Sequence, residues 1–274
     1  MKKNVLSALA LSATLLCFGT GVPTAKAESI IVQSTTSTDN AGFYNHVVPL
    51  FSNLTGIEVK VVAVGTGQAL QNARNCDGDL LIVHSTKDEI AFVKDGYGVA
   101  RHDLMYNDFV ILGPKSDPAG ISGTTDVGDA LGKIAAAKES FASRGDNSGT
   151  HKAEKRLWET SDVSKEALAS SWYKETGRGM GATLNYAVQT ESYVLSDRAT
   201  WLAFGNQQDH QILFEGDPRL FNQYGVVTIN PDKCPKVKAK EADRFAEWLL
   251  SAEGQTHIST LKRAGQPLFF PNAK

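Results

Sequence analysis

The stretch Ile57-Glu58-Val59-Lys60-Val61-Val62-Ala63-Val64-Gly65-Thr66-Gly67 decides the fold class. Residues 57–64 are β-branched and alternating, which predicts a strand. Gly65-Thr66-Gly67 then makes a tight turn, and Gln68 to Asn75 reads as helix. The same unit stands on either side. Upstream, Ser29 to Gln33 is a strand, residues 34–40 (Ser-Thr-Thr-Ser-Thr-Asp-Asn) form a polar turn, and Phe43, Val47, Leu50, Phe51 and Leu54 recur at helical spacing. Pro49 is expected to kink that helix and Thr55-Gly56 to stop it. Downstream, Asp79 to His84 is a strand, Ser85-Thr86 a turn, and Lys87 to Asp95 a helix. Three strand–turn–helix units predict an α/β fold with mainly parallel sheet. Ligands in such sheets sit at the turns that follow the strands.

A further junction of this kind is Ser143-Arg144-Gly145-Asp146-Asn147-Ser148-Gly149-Thr150-His151. Glu139 to Ala142 precede it as a strand end, and Lys152 to Thr160 follow as a helix. The loop offers a guanidinium that stays charged, two hydroxyls and the free N–H groups of a helix start, a donor-rich cup for an oxyanion. Asp146 is the discordant member, because a carboxylate repels a dianion. It is expected to turn toward Arg144 or the loop backbone. The alternative for each hydroxyl turn is ordinary helix capping, which needs one such residue, whereas Ser34 to Thr38 supplies five.

The rest of the chain continues the alternation. Leu104 to Leu112 is an apolar run able to carry the chain into a second domain, and Val127 to Lys138 is helical. A second glycine cluster, Gly177-Arg178-Gly179-Met180-Gly181, precedes a helix over 182–190. Ser192 to Leu195 is a strand, and Ser196-Asp197 caps a helix over 198–204. Gly225 to Ile229 returns the chain to the first domain. An amphipathic helix follows over 238–251, then a short one over 254–261, and an apolar tail packs at 267–271. No repeat or low-complexity tract interrupts this pattern.

Residues 1–27 read as an export signal: Lys2 and Lys3, an apolar run from Val5 to Phe18, then Ala25-Lys26-Ala27. The run is too short for a membrane span. Without those residues the chain carries 25 basic against 30 acidic side chains, a formal charge of −5. That balance argues against nucleic acid as a partner, and requires any anion to be held by local donors. Cys76 and Cys234 remain, either as a disulfide in an exported chain or as two separate thiols. His46, His84, His102, His210 and His257 show no metal-ligand spacing, so neither a metal nor another cofactor is expected. Ser148 and His151 with Asp146 invite a hydrolase reading. Residues 145–149 spell G-D-N-S-G, however, not the nucleophile-elbow pattern.

Arg144-x-Asp146-x-Ser148-Gly149-Thr150 resembles the signature of periplasmic phosphate-binding proteins. With Ser34 to Thr38, Gly65-Thr66-Gly67 and Gly179-Met180-Gly181-x-Thr183-Leu184, the resemblance over residues 29–270 is to the tungstate-binding components of tungstate ABC importers. It implies a two-lobed type II periplasmic binding protein fold. Lobe 1 would comprise 28–107 plus 228–274 and lobe 2 residues 108–227, each a mainly parallel sheet flanked by helices, with the ligand in the cleft. It further implies that Thr35, Thr36, Ser37, Thr66, Arg144, Ser148, Gly149 and Thr150 bind the anion, with the order among Thr35, Thr36 and Ser37 left open. The expected function is capture of tungstate or molybdate in the periplasm by a monomer, without catalysis, and delivery to an inner-membrane permease. A phosphate or sulfate binder of the same fold is the alternative.

Overall fold

The computed structural model describes residues 28–274; the export signal expected at 1–27 lies outside them. Strand β1 (Ser29–Thr35) leads into α1 (Thr36–Asn40) and α2 (Phe43–Thr55), then β2 (Glu58–Val64), α3 (Thr66–Arg74), β3 (Leu80–Val83) and α4 (Thr86–Lys94). The long strand β4 (Gly98–Pro114) comes next, then α5 (Val127–Ala137), β5 (Phe141–Ser143), α6 (Gly149–Trp158) and α7 (Lys165–Leu168). The chain continues as β6 (Tyr173–Glu175), α8 (Met180–Gln189), β7 (Tyr193–Asp197), α9 (Arg198–Ala203), β8 (His210–Phe214) and β9 (Phe221–Ile229). Helices α10 (Ala239–Leu250) and α11 (Ala252–Thr260) and three two-residue strands, β10 to β12, close the fold.

The strands line up in the order β2-β1-β3-β9-β4-β7-β5-β6. At one end β1 pairs in parallel with β2 and β3, and at the other β5 pairs in parallel with β6 and β7. Between them β4 and β9 run antiparallel to their neighbours. Strand β4 joins the halves: residues 98–108 pair with β9, and 109–114 with β7 and β8. Each half has its own core. Phe43, Phe51, Ile82, Tyr224 and Phe245 belong to the first, and Phe109, Leu131, Phe141, Trp158 and Tyr193 to the second. Strand β3, parallel to β1 and antiparallel to β9, is buried at all four positions, as a central strand covered on both faces should be.

Several boundaries differ from the sequence reading in one direction. Helix α2 runs through Pro49 and ends at Gly56, whose φ of +73° suits a residue without a Cβ. The hydroxyl cluster is not a loop: Ser34 and Thr35 extend β1, and Thr36 to Asn40 form a helical turn. Thr66 and Gly67 belong to α3, and Gly149 opens α6 with Ser148 as its N-cap, accepting from the His151 N–H at 3.2 Å. Threonine and glycine are weak helix formers in a helix interior, which is why they read as turns, but first-turn residues have no intrahelical N–H bond to lose.

The cysteine alternatives resolve as a bond. Cys76 and Cys234 form a disulfide with Cα atoms 5.4 Å apart. It ties the α3–β3 connection to the segment after β9, within an apolar cluster that includes Leu70, Leu81 and Phe92.

Candidate functional site

Parallel strands end on one edge, and the helices after them begin there. Helices α1, α3 and α6 start directly after β1, β2 and the β5 loop, and α8 starts after the glycine cluster that follows β6. Their N-termini converge. The Gly149 N–H donates to Thr66 Oγ1 at 3.0 Å, joining α6 to α3. A Cβ placed on Gly149 would meet His84 Cε1 and Thr66 Oγ1, each at 3.0 Å, and one on Gly179 would meet Thr36 Oγ1 at 3.4 Å. The Thr200 hydroxyl reaches the Ser37 carbonyl at 3.1 Å. One buried neighbourhood therefore contains the starts of α1, α3, α6 and α8. Backbone N–H groups and helix dipoles favour negative charge there.

Arg144, only 2% exposed, lies in this neighbourhood. Its Nε donates to the Arg178 carbonyl at 2.9 Å, and Nε and Nη2 both donate to Asp146 Oδ2. Asp146 Oδ1 accepts from the Ser148 N–H at 3.1 Å. The carboxylate thus turns to Arg144 and the loop backbone, as expected. Burial lowers the Arg144 pKa and Asp146 opposes that shift. Arg178 contributes its carbonyl to holding the arginine.

The eight predicted residues fall into groups. Thr36 Oγ1 and Thr150 Oγ1 are buried without any hydrogen-bond partner. Thr66 and Ser148 hydroxyls accept from backbone N–H groups, which leaves their own protons uncommitted. Gly149 provides the close approach just described. Thr35 and Ser37 are engaged with protein: Thr35 Oγ1 lies 2.7 Å from Thr38 Oγ1, and Ser37 Oγ lies 3.1 Å from His84 Nε2. Buried polar groups ordinarily find partners; these two hydroxyls have none, and neither has Ser143 Oγ at the end of β5.

In the sequence His84 is one of five histidines without metal-ligand spacing. It is buried in this neighbourhood, 6% exposed, stacked on Tyr224 at 4.8 Å, with Nδ1 3.0 Å from Asn222 Oδ1. Burial pushes its pKa down to about 4; Arg144 and Arg156 add to that, and the Asn222 bond opposes it. The ring is neutral at neutral pH. A lone histidine at the end of a strand carries no spacing signal, so nothing in the sequence singled it out. Among the described residues, no group of three or more His, Cys, Asp or Glu side chains is placed to hold a metal ion. Nor is any helix there long and apolar enough to cross a membrane.

A sequence model of the PBP superfamily domain matches residues 21–253. The tungstate-binding protein TupA of Peptoclostridium acidaminophilum is 44% identical over 249 residues, covering 89% of this chain and 86% of that protein. The chain belongs to this family, the TupA-type members of the PBP superfamily. Solved structures agree. Tungstate-binding protein TupA from Desulfovibrio alaskensis G20 superposes with a TM-score of 0.76 at 47% identity, over 90% of this chain and 100% of that one. The tungstate ABC transporter structure from Geobacter sulfurreducens gives 0.78 at 43% identity, over 85% and 98%. These relatives are substrate-binding proteins of transport systems, and their solved structures share the α/β architecture of this chain.

Proposed function

We infer that the protein binds tungstate, with molybdate as the near-isosteric competitor, and hands it to an ABC permease as a periplasmic monomer. The observation that carries the reading is the pair of orphaned, buried hydroxyls, Thr36 and Thr150, set among four helix N-termini. The proposed donors are these two hydroxyls, those of Thr66 and Ser148, the N–H groups around Gly149, and Arg144. The bonds to Asp146 and Arg178 leave the two Nη1 protons and one on Nη2 for the ligand. Thr35 and Ser37 shape the turn that presents Thr36.

Two lobes close on the anion in this proposal. The first boundary stays at 107/108. The second moves from 227/228 to the start of β9, because Phe221–Ile229 pairs with β3 and β4. Closure would bring Gly149 to Thr66 and Thr200 to Ser37 and replace water by fixed donors.

Phosphate is disfavoured because it is protonated near neutral pH and needs an acceptor, and Asp146 already has its partners. A hydrolytic role is disfavoured as well. Ser148 Oγ accepts from the His151 backbone N–H, and His151 Nδ1 accepts from the Asn147 N–H, so no side-chain relay joins serine to histidine. Titration calorimetry with tungstate, molybdate, sulfate and phosphate tests the proposal. Tungstate and molybdate are expected to bind at least a hundredfold more tightly than the other two; phosphate binding tighter than tungstate would refute it.

A further inference from the structure

Beneath the cup runs a chain of buried polar side chains that no ligand contact explains. Ser37 Oγ lies 3.1 Å from His84 Nε2, and His84 Nδ1 lies 3.0 Å from Asn222 Oδ1. Asn222 Nδ2 donates to Asn107 Oδ1 at 2.7 Å, and Asn107 Nδ2 to Asp197 Oδ2 at 3.4 Å. Asp197 Oδ2 also receives the Thr200 N–H at 2.8 Å, and Asp197 Oδ1 lies 2.7 Å from the Thr200 hydroxyl, whose other neighbour is the Ser37 carbonyl. Ser37, Asn107, Asp197, Thr200 and Asn222 are at most 2% exposed.

The chain has a direction, and Asp197 sets it. Asp197 Oδ2 already takes the Thr200 backbone N–H, so it stands as an acceptor toward Asn107, which approaches the same oxygen. Asn107 must therefore turn its NH₂ toward Asp197 and its oxygen toward Asn222. Asn222 must then turn its NH₂ toward Asn107 and its oxygen toward His84. That oxygen requires a proton on Nδ1, and a neutral imidazole with a proton on Nδ1 has its lone pair on Nε2. The one group facing that lone pair is the Ser37 hydroxyl.

We propose that His84 is a positioning residue for the anion cup: held as its Nδ1–H tautomer through Asn222, Asn107 and Asp197, it accepts a hydrogen bond from the Ser37 hydroxyl at Nε2 and locks the turn that points Thr36 at the ligand. Two of these groups lie on β4 and β9, the strands between the halves, and Asp197 lies in the second half, so the turn in the first half is set by a group across the molecule. The inference rests on the anion-binding reading for its consequence, though not for its hydrogen-bond geometry.

Two measurements test it. Long-range ¹H–¹⁵N spectra of histidine-labelled full-length protein, without ligand, should show His84 protonated on Nδ1 and bare on Nε2 at pH 7. An Nε2–H tautomer or an imidazolium overturns the proposal, whatever the ligand proves to be. Calorimetry with sodium tungstate then reads the consequence. Thr36→Val is expected at least tenfold weaker than wild type, and Ser37→Ala, which removes the hydroxyl that His84 holds, as weak as His84→Leu. His84→Gln, which keeps an acceptor near the Nε2 position, should stay within threefold, while His84→Leu loses tenfold or more. A Ser37→Ala affinity within threefold of wild type beside a tenfold loss in His84→Leu, or a His84→Gln loss equal to that of His84→Leu, overturns it. If wild type binds no tungstate, the anion reading fails and the spectra alone decide the proton order.

Discussion

Removing the Cys76–Cys234 bond should lower stability by a calculable amount and leave ligand affinity alone. The bond closes a loop of 158 residues, and that loop contains the entire second half of the molecule. In the unfolded chain, cross-linking a loop of this size removes an entropy that amounts to about 5 kcal/mol at 25 °C in the chain-entropy treatment. A protein of this kind has a net stability of roughly 5–15 kcal/mol, so the bond accounts for a large share. It also joins covalently the two separate segments that build the first half, which otherwise meet through sheet pairing, packing and hydrogen bonds such as Lys238 N–H to Asp79. With a urea m-value of about 3 kcal/mol/M, Cys76→Ser/Cys234→Ser should move the unfolding midpoint down by about 1.5 M. The bond lies past the far end of α3, a helix whose nine residues separate it from Thr66 by about 15 Å. The tungstate Kd of the double variant should therefore stay within twofold of wild type. A midpoint within about 0.3 M of wild type would refute the loop-entropy reasoning, and a tenfold change in Kd would refute the separation from the cup.

Other outcomes follow from the buried ionisable groups. Arg144→Ala leaves Asp146 without its cation beside the dianion, and should weaken tungstate binding at least a hundredfold by calorimetry; wild-type affinity in that variant would take the arginine out of the site. Asp146→Asn keeps an acceptor for the Ser148 N–H and removes a negative charge, so its affinity should equal or exceed wild type. His84, pushed down to about 4, stays neutral when folded while the unfolded ring protonates near 6.5. The unfolded state then binds the extra proton, and this contribution to stability is lost as pH falls from 6.5 toward 4, by about 3 kcal/mol in full. Glu154 has the opposite sign. Burial raises it to about 7 against bonds from Tyr173 and Trp158, so its contribution is lost as pH rises from 4.5 through 7. Urea melts of His84→Gln and Glu154→Gln should therefore depart from wild type with pH slopes of opposite sign; slopes of one sign would contradict the assignment.

What was legible in the sequence was local. Strand, hydroxyl turn and helix follow one another within twenty residues, so the parallel units at both ends and the donor-rich junctions could be read directly. The end points could not, because Thr66, Gly67 and Gly149 are turn formers by propensity yet sit in first helical turns, where propensity carries little weight. What required the fold was the set of long-range partners. His84 meets Asn222 across 138 positions, Asn222 meets Asn107 across 115, and Asn107 meets Asp197 across 90. Only Asp197, as a helix cap, carries a local signal, and their meeting depends on β4 and β9 running antiparallel side by side. The disulfide was undecided for the same reason: two cysteines 158 apart fit two thiols as well as one bond. The order among Thr35, Thr36 and Ser37 likewise rests on which hydroxyl lacks a protein partner, which only packing decides.

The cup's electrostatics lead to a last expectation. Arg144 looks like the attracting charge, but its Nε and Nη2 are paired with Asp146, and Asp197 acts on it as a further anion. Formal charge near the ligand is thus cancelled or slightly negative, within a chain that is itself acidic. A dianion bound there is held by directed dipoles: hydroxyls, N–H groups and helix N-termini in a buried setting where each bond is strengthened by exclusion of water. Salt acts on exposed charges separated by more than the screening length, about 8 Å at physiological ionic strength, and acts weakly on buried dipoles at contact. Tungstate affinity should then change less than threefold between 50 mM and 500 mM sodium chloride, measured by calorimetry at constant pH. Asp146→Asn, which uncovers the arginine, should become measurably more salt-sensitive than wild type. A tenfold loss in the wild type over that range would mean that net positive charge draws the anion in, and the dipole account of the cup would fail.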